Sequence, residues 1–458
     1  MMRRLCDAMN RAMDHADERL RGALLGAPHR LVLLALDVLV ILAFAALMMT
    51  RSMAQLEGAG ASSCAATVAL LCLPLAVMLF FAGRVGRSRG DSLLAHVLLG
   101  GVCAAAMLAR VSFLDHVSSD YEIYLSDWMA QFAQRSFREG METNIGEYNV
   151  LYQYILFLLT RLPVPALYGV KAATFMGDAF LAGAAANLAG KAGKKSAGAL
   201  CLVLLLPACV VNGGMFAQCD SLYAACALWG LAHALGGRRA AGAACFALSL
   251  AFKLQAMFLL PIVAVLWAGR KLRLADALVF VLTLLACALP ALLGGKSAGQ
   301  ILAIYMGQTG LYTGLTYNAP TLFGLMNTNG LDAFAYGNFG MALALGAVCA
   351  LLAVYIPRAK RMTDGEYLRA ALLMVLLVVF LLPRMHERYF FMADILAAAL
   401  AARHRQAALP CALIALASLS RYWDLGMGLP VASMLMLLAL VLTVCLGKGS
   451  CEKDNACV

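Results

Sequence analysis

The residues that could do chemistry lie in five polar clusters, each next to a long apolar run. The clusters span residues 115–122, 218–221, 252–255, 317–320 and 383–391. They contribute carboxylates (Asp115, Asp120, Glu122, Asp220, Glu387), cations and a histidine (Lys253, Arg388, His386), amides (Gln218, Gln255, Asn318) and phenols (Tyr121, Tyr389). A carboxylate can remove a proton from an acceptor hydroxyl, while Lys, His and Arg can bind and neutralise a phosphate leaving group. A catalytic pocket needs this mixture of side chains.

The elements that must position these clusters follow from composition. The 458 residues are 63% hydrophobic and 13% charged, with a mean hydropathy of +0.82, which leaves too few polar residues to cover a water-soluble protein. Apolar runs near the length of a membrane-spanning helix recur at residues 31–49, 65–82, 93–114, 167–188, 341–356 and 431–446. On the criterion of roughly 20 apolar residues per span, with shorter helices allowed, this predicts an all-α, polytopic transmembrane bundle of about 12–14 spans.

Two segments depart from the simple spanning pattern. Residues 148–162 are short and contain Asn149 and Gln153, which predicts an element that returns to the side from which it came. Residues 240–268 carry Lys253 and Gln255 at their centre, which predicts two short helices that meet at the outer face.

The distribution of Lys and Arg predicts orientation, because basic residues in short loops are retained in the cytoplasm. One alternating path places the basic loops inside and all five polar clusters outside, in a multi-pass protein of the cell membrane with both termini cytoplasmic. Residues 1–30 are then a cytoplasmic amphipathic segment and residues 31–447 the transmembrane domain, with external loops 115–147 and 294–335 and a tail at 448–458. An amphipathic helix is expected after residue 123. The net charge of +11 is explained by cytoplasmic loops that meet anionic lipid headgroups, and it does not indicate nucleic acid.

A site on the outer face is expected because ionisable groups near membrane spans are costly and are gathered there from distant parts of the chain. Nucleotide sugars are scarce on that face. A sugar linked to a lipid phosphate is therefore a chemically reasonable donor.

An ordered set of short motifs resembles a known family. The set is Ser119-Asp120-Tyr121, Tyr148-Asn149, Gln218-Cys219-Asp220-Ser221, Phe252-Lys253-Leu254-Gln255-Ala256, Tyr317-Asn318-Ala319-Pro320 and Met385-His386-Glu387-Arg388-Tyr389-Phe390-Phe391. It resembles the GT-C superfamily of membrane glycosyltransferases, most closely bacterial members similar to GPI mannosyltransferases. The resemblance implies transfer of a mannose-like or glucose-like hexose from a polyprenyl-phosphate sugar to a lipid- or glycan-linked acceptor, with inversion at the anomeric carbon.

The resemblance also implies roles for individual residues. An acidic residue of the first external loop acts as the base, which matches Asp120, with Asp115 as the alternative. Phosphate contacts are assigned to Arg388, His386 and Lys253, and contacts with sugar hydroxyls or with the base to Gln218, Asp220 and Gln255; further substrate contacts are expected from Tyr121, Glu122, Asn318, Glu387 and Tyr389. The family pattern often begins with one span before the catalytic loop, whereas three precede it here, so the first two spans have no assigned role.

Other interpretations remain open at this point. A secondary transporter also uses short, broken helices and buried charges, but no inverted repeat is visible. Residues 386–388 could be an interfacial anchor, and Lys253 could extend to the interface. A divalent metal could bridge Asp120, Glu122 or Asp220 to the phosphate, although no dedicated metal motif is present. For Asp178, a structural ion pair between helices is favoured over a substrate contact, and Lys171 lies on roughly the same face of its helix. Asp37 has no evident partner.

Overall fold

The structure is a computed structural model that describes residues 29–55, 61–86, 93–190, 193–307, 313–326, 328 and 331–446. Predictions for the N-terminal segment 1–28 and for the tail at 448–458 lie outside the described residues. The described chain is almost entirely helical, and its β-structure is one parallel pair of two-residue strands. The predicted all-α fold class is confirmed.

The first helices are α1 (His29–Gln55), α2 (Ala61–Gly86), α3 (Leu93–Val111), α4 (Ser126–Ala133), α5 (Phe137–Glu142), α6 (Val150–Leu159), α7 (Ala166–Ala189), α8 (Lys194–Leu205), α9 (Pro207–Val210) and α10 (Asp220–Leu235). They are followed by α11 (Arg239–Phe252), α12 (Ile262–Ala268), α13 (Asp276–Leu293), α14 (Ala298–Gly307), α15 (Ala333–Tyr355), α16 (Asp364–Leu381), α17 (Phe391–Arg403), α18 (Ala408–Tyr422) and α19 (Leu429–Cys445). The strands are β1 (Thr316–Tyr317) and β2 (Met385–His386).

Several helices are suited to crossing a membrane. Within the described part of the chain, five are long and apolar enough on their own, namely Leu31–Arg51, Ala61–Gly86, Leu93–Val111, Asp276–Leu293 and Ala333–Arg361, and a bent pair formed by α8 and the following segment would make six. The chain is thus a multi-pass membrane protein. The larger predicted count requires shorter or more polar helices, such as α11 and α19, to cross as well, and it stays a prediction.

Both irregular segments contain short helices, as predicted, while the return of residues 148–162 to the same side and the position of the 240–268 break at the outer face stay predictions. Helix α11 ends at Phe252, Lys253 is extended, and a 3-10 turn at Leu254–Phe258 leads into α12. Helix α6 has only ten residues, which corresponds to about 15 Å at ~1.5 Å per residue, half of a hydrocarbon core. The break at Lys253 turns its side chain into the interior rather than toward the interface.

Buried ionisable residues join the spanning helices. Arg110 of α3 and Asp178 of α7 form an ion pair of 2.7 Å between Nε and Oδ2, with side chains 0% and 1% exposed. The predicted interhelical pair of Asp178 is confirmed, but Lys171 is not its partner. The ammonium group of Lys171 instead donates to three carbonyls, including that of His116 at 2.6 Å. Asp37 pairs with His96 of α3 at 2.9 Å, a partner that sequence analysis did not find.

Candidate active site

A cavity of about 1240 Å³ collects residues from all five polar clusters. Its polar end is formed where residues 115–147, which are the predicted first external loop, meet the start of α10, the break after α11 and the segment between α16 and α17. Buried polar groups in such a place need hydrogen-bond partners, and the contacts below show which of them have one.

Asp120 lies at the entrance to a π-helical turn, Tyr121–Leu125, in the first external loop. Its Oδ2 accepts hydrogen bonds from Arg388 Nη1 at 2.7 Å and from Gln218 Nε2 at 2.8 Å. Asp120 and Arg388 are 268 positions apart in the sequence. The Asp120 side chain is 30% exposed, so it remains accessible from the cavity.

Gln218 is oriented by a second contact. The Tyr148 hydroxyl donates to Gln218 Oε1 at 3.1 Å, which directs the amide nitrogen toward Asp120. The preceding residue, Ala217, has a φ of +54°, a left-handed conformation that non-glycine residues rarely adopt, and it brings Gln218 to the cavity wall. Tyr148, Gln218, Asp120 and Arg388 therefore form one continuous hydrogen-bonded chain.

A buried ion pair lies beside that chain. Lys253 Nζ is 2.5 Å from Asp220 Oδ1, and their side chains are only 4% and 1% exposed. Asn212 donates to the other carboxylate oxygen of Asp220 at 3.0 Å and also to the Tyr422 hydroxyl at 2.9 Å. Both oxygens of Asp220 are occupied, so this carboxylate positions Lys253 and does not face the cavity.

The segment between α16 and α17 is fixed against the second external loop. Strands β1 and β2 pair in parallel, and the Tyr317 ring stacks on His386 with 5.0 Å between centroids. Arg384 has a φ of +63°, and its amide donates to the Leu315 carbonyl at 2.9 Å. Two distant loops thus form one wall of the cavity.

Protonation in this segment, which lies outside both flanking helices, follows from burial. Burial, assisted by the nearby Arg388 cation, lowers the pKa of His386 to about 4, so its imidazole is neutral at physiological pH. Burial raises the pKa of Glu387, opposed by Arg388. The positive charge at this end of the cavity therefore comes from Arg384, Arg388 and Lys253 rather than from His386.

Nine predicted site residues line the cavity, namely Asp120, Gln218, Lys253, Gln255, Asn318, His386, Glu387, Arg388 and Tyr389. Four do not. Asp115 pairs with Arg51 and accepts from the Tyr168 hydroxyl, away from the cavity lining. Tyr121 packs in an apolar cluster and Glu122 is exposed, because the π-helical turn directs them away, while Asp220 lies behind Lys253.

Several aromatic residues of the cavity were not predicted as site residues. Tyr124 and Trp128 from the first loop, Tyr148 and Tyr317 all line it. Tyr148 and Tyr317 do occur in the motifs that carry the family resemblance, and their position directly beside Asn149 and Asn318 was the available signal. Arg384 also lines the cavity, and the sequence carries no mark of its left-handed backbone.

The other end of the cavity is an apolar groove. One face of α15 supplies it with Phe334, Gly337, Asn338, Met341, Ala344, Leu345 and Val348, which recur every three or four positions. This face runs over 15 residues, and the 14 steps from its first to its last residue correspond to about 21 Å at ~1.5 Å per residue. Met257 and Phe258 after the α11 break and Leu382 after α16 form the facing wall. The cavity thus joins a charged end to an elongated apolar one.

Metal ligands are not grouped in the part of the chain that the structure describes: no three His, Cys, Asp or Glu side chains are placed to hold an ion. Asp120 and Asp220, two of the residues considered as bridges to a metal, are each engaged by cations and amides.

Comparison with known proteins bears on this site. Residues 148–269 match a family described as alpha-(1->6)-mannopyranosyltransferase, N-terminal domain, and they include Gln218, Lys253 and Gln255. The crystal structure of ArnT from Cupriavidus metallidurans bound to undecaprenyl phosphate is similar over 76% of each chain, with 16% identity and a TM-score of 0.39. A comparison with curated proteins found no match. Over residues 148–269 the chain is thus similar to a family of mannosyltransferases, which supports the resemblance predicted from the motifs.

Proposed function

We propose that this protein transfers a mannose-like or glucose-like hexose from a polyprenyl-phosphate sugar to a hydroxyl of a lipid- or glycan-linked acceptor. The observation that carries the proposal is the joining of two environments in one cavity. Asp120, Arg388 and Lys253 lie at its polar end, and the apolar face of α15 extends from there. The description of the matched family favours mannose as the sugar.

The donor suits this division of the cavity. A polyprenyl chain is long and apolar, so burial along α15 would be favourable at about 25 cal/mol per Å². The phosphate would lie where Arg388 and Lys253 supply positive charge. Arg388 Nε is buried and has no hydrogen-bond partner among the described residues, which leaves one edge of the guanidinium available for a phosphate oxygen.

The reaction is a single displacement. The acceptor oxygen attacks the anomeric carbon while its proton passes to an oxygen of Asp120, and the bond between the anomeric carbon and the phosphate oxygen breaks. The electron pair of that bond leaves on the polyprenyl phosphate, which Arg388 and Lys253 stabilise. Attack from the face opposite the leaving group inverts the anomeric configuration.

Arg388 connects the proposed phosphate position to the base. In the empty site it is bound to Asp120 at 2.7 Å. Arg388 and Gln218 both bind Oδ2 of Asp120, so the other carboxylate oxygen can accept the proton of the acceptor hydroxyl. A donor phosphate bound to the same guanidinium would lie close to this base.

The cavity is proposed to open on the outer face of the cell membrane, with both termini in the cytoplasm. The positions of the basic loops support this orientation, because Lys and Arg are retained on the cytoplasmic side.

The decisive experiment is transfer of radiolabelled sugar from a panel of polyprenyl-phosphate hexoses into lipid and glycan acceptors, with purified protein in liposomes. Incorporation from one donor, with release of polyprenyl phosphate in equal amount, is the expected result. Movement of a solute or lipid-linked sugar across the vesicle membrane without any transfer would favour a transporter instead.

A further inference from the structure

Helix α1, the first helix among the described residues, makes contacts that the proposed function does not use. Arg51, near the end of α1, donates from Nη1 to the Val111 carbonyl at 2.5 Å and from Nη2 to Asp115 Oδ2 at 2.5 Å. Val111 ends α3 and Asp115 begins the first external loop. One guanidinium therefore joins α1 to the start of the loop that carries Asp120.

The same short segment is also held from a second helix. The Tyr168 hydroxyl of α7 donates to Asp115 Oδ1. The ammonium group of Lys171, one turn further along α7, donates to the carbonyls of Phe113, Leu114 and His116. These carbonyls follow the end of α3, where backbone acceptors have no partner within the helix.

The far end of the segment is fixed beside the cavity. The Ser118 hydroxyl donates to the Phe216 carbonyl at 3.1 Å, two residues before Gln218. The Tyr121 amide in turn donates to the Ser118 hydroxyl at 3.3 Å. Asp120 lies between these two anchors, so a shift at Asp115 can reach Asp120 through only five residues of chain.

The location of the Arg51 charge indicates that this residue serves to position the loop rather than to stabilise the fold. In the predicted orientation Arg51 lies at the outer end of α1, where basic residues near a span are disfavoured. Its side chain is 28% exposed and that of Asp115 is 40% exposed, so the pair is accessible to water and contributes little to stability by itself. The effect of the ion pair is therefore mainly to fix the position of the loop.

We propose that Arg51 is a positioning residue, and that the contribution of α1 is to hold the first external loop through Asp115 and Val111 so that Asp120 stays within reach of Gln218 and Arg388. This gives the first span a role, and it assigns Asp115 to anchoring rather than to proton transfer. The inference rests on the proposed function for its catalytic readout, but the anchoring itself can be measured without any substrate.

The first arm of the test is hydrogen exchange of backbone amides in residues 113–122. Amides of Leu114, His116 and Glu122 are hydrogen-bonded within this segment and report its opening. Arg51→Ala should speed their exchange several-fold, and Arg51→Lys, which retains one donor group, should restore part of the protection. Arg84→Ala is the matched control. It removes an exposed cation in the last turn of α2 and should leave the exchange rates of these amides unchanged.

The second arm is transfer kinetics. Misplacement by about 1 Å can cost up to ~10²-fold in rate, so Arg51→Ala should lower kcat by roughly ten- to a hundredfold, with KM for the donor little changed. Asp115→Ala should do the same. The double variant should lose less than the two single losses combined, because both changes remove the shared Arg51–Asp115 contact, although each also removes one contact of its own, with Val111 or with Tyr168.

Three outcomes are informative. Unchanged exchange in Arg51→Ala overturns the anchoring. Faster exchange with unchanged kcat overturns the positioning role. If the effects of Arg51→Ala and Asp115→Ala on kcat are fully additive, the two residues act independently, and the shared contact is overturned. If the wild type transfers no sugar, the proposed function fails, yet the exchange arm still decides whether α1 anchors the loop.

Discussion

Replacement of Asp120 by asparagine is the sharpest test of the proposed chemistry. The amide has almost the shape of the carboxylate, and its oxygen can still accept a hydrogen bond from Gln218 or Arg388, which now bind Asp120 at 2.8 and 2.7 Å. What the substitution removes is the ability to take up a proton. General base catalysis contributes about 10²–10⁴-fold, so kcat should fall by that factor, which is about 2.7–5.4 kcal/mol at ~1.36 kcal/mol per tenfold.

Asp120→Asn should not weaken donor binding, so its KM for the donor should not rise. Arg388 is shared between Asp120 and the incoming phosphate in the proposed mechanism. Without the carboxylate charge, the guanidinium is held less firmly, and KM for the donor should stay the same or fall. Initial rates in liposomes, measured over a range of donor concentrations, separate kcat from KM.

Glu122→Gln is the matched control. It removes a carboxylate from the same loop, two residues away, but Glu122 is exposed and does not line the cavity. Its kcat should stay close to that of the wild type. A loss of less than about tenfold in Asp120→Asn, or an equal loss in both variants, would refute the assignment of the base.

Three further predictions concern the neighbours of Asp120. Arg388→Lys should raise the donor KM roughly tenfold or more, because a single ammonium cannot replace two guanidinium contacts and one charge-assisted hydrogen bond is worth about 1.5–3 kcal/mol; an unchanged KM would place the phosphate elsewhere. Asp220→Asn should lower the free energy of unfolding in detergent by about 3–5 kcal/mol, because it leaves the Lys253 charge buried without its ion pair. The double variant Asp220→Asn with Lys253→Met removes both charges and should recover much of this loss. Because the pKa of His386 is about 4, its charge does not change between roughly pH 5.5 and 8, and His386→Gln should show the same pH profile of transfer as the wild type over that range. An inflection near pH 6.5 that disappears in His386→Gln would contradict the burial argument.

Sequence reasoning found the parts of the site that depend on local composition. The break at Lys253 was predictable because a charge and an amide at the centre of an apolar stretch cannot face lipid. The gathering of the polar clusters was predictable because each one lies next to an apolar run, and ionisable groups near membrane spans are costly unless they are brought together. These arguments use only hydropathy and charge, which act over a few residues.

Contacts that depend on packing were not predictable in the same way. Asp115 and Asp120 have the same side chain and lie in the same loop. Their surroundings differ because Arg51 of α1 and Tyr168 of α7 both contact Asp115. The pairing of Asp37 with His96 likewise depends on how α1 lies against α3. Residues 268 positions apart, as Asp120 and Arg388 are, meet through helix packing that no local pattern encodes.

The buried pair of Arg110 and Asp178 has a consequence for biogenesis. During synthesis, Arg110 emerges 68 residues before Asp178 is available, so α3 enters the bilayer with an unneutralised arginine. Insertion scales place the cost of an arginine at the centre of a span at about 2.5–3.5 kcal/mol, and Arg110, one residue before the end of α3, costs less than that. The apolar residues of α3 can offset this, but the helix stays poorly anchored until α7 arrives. Assembly of the N-terminal spans is therefore coupled to translation of α7, and a chain truncated between them should be a substrate for membrane quality control.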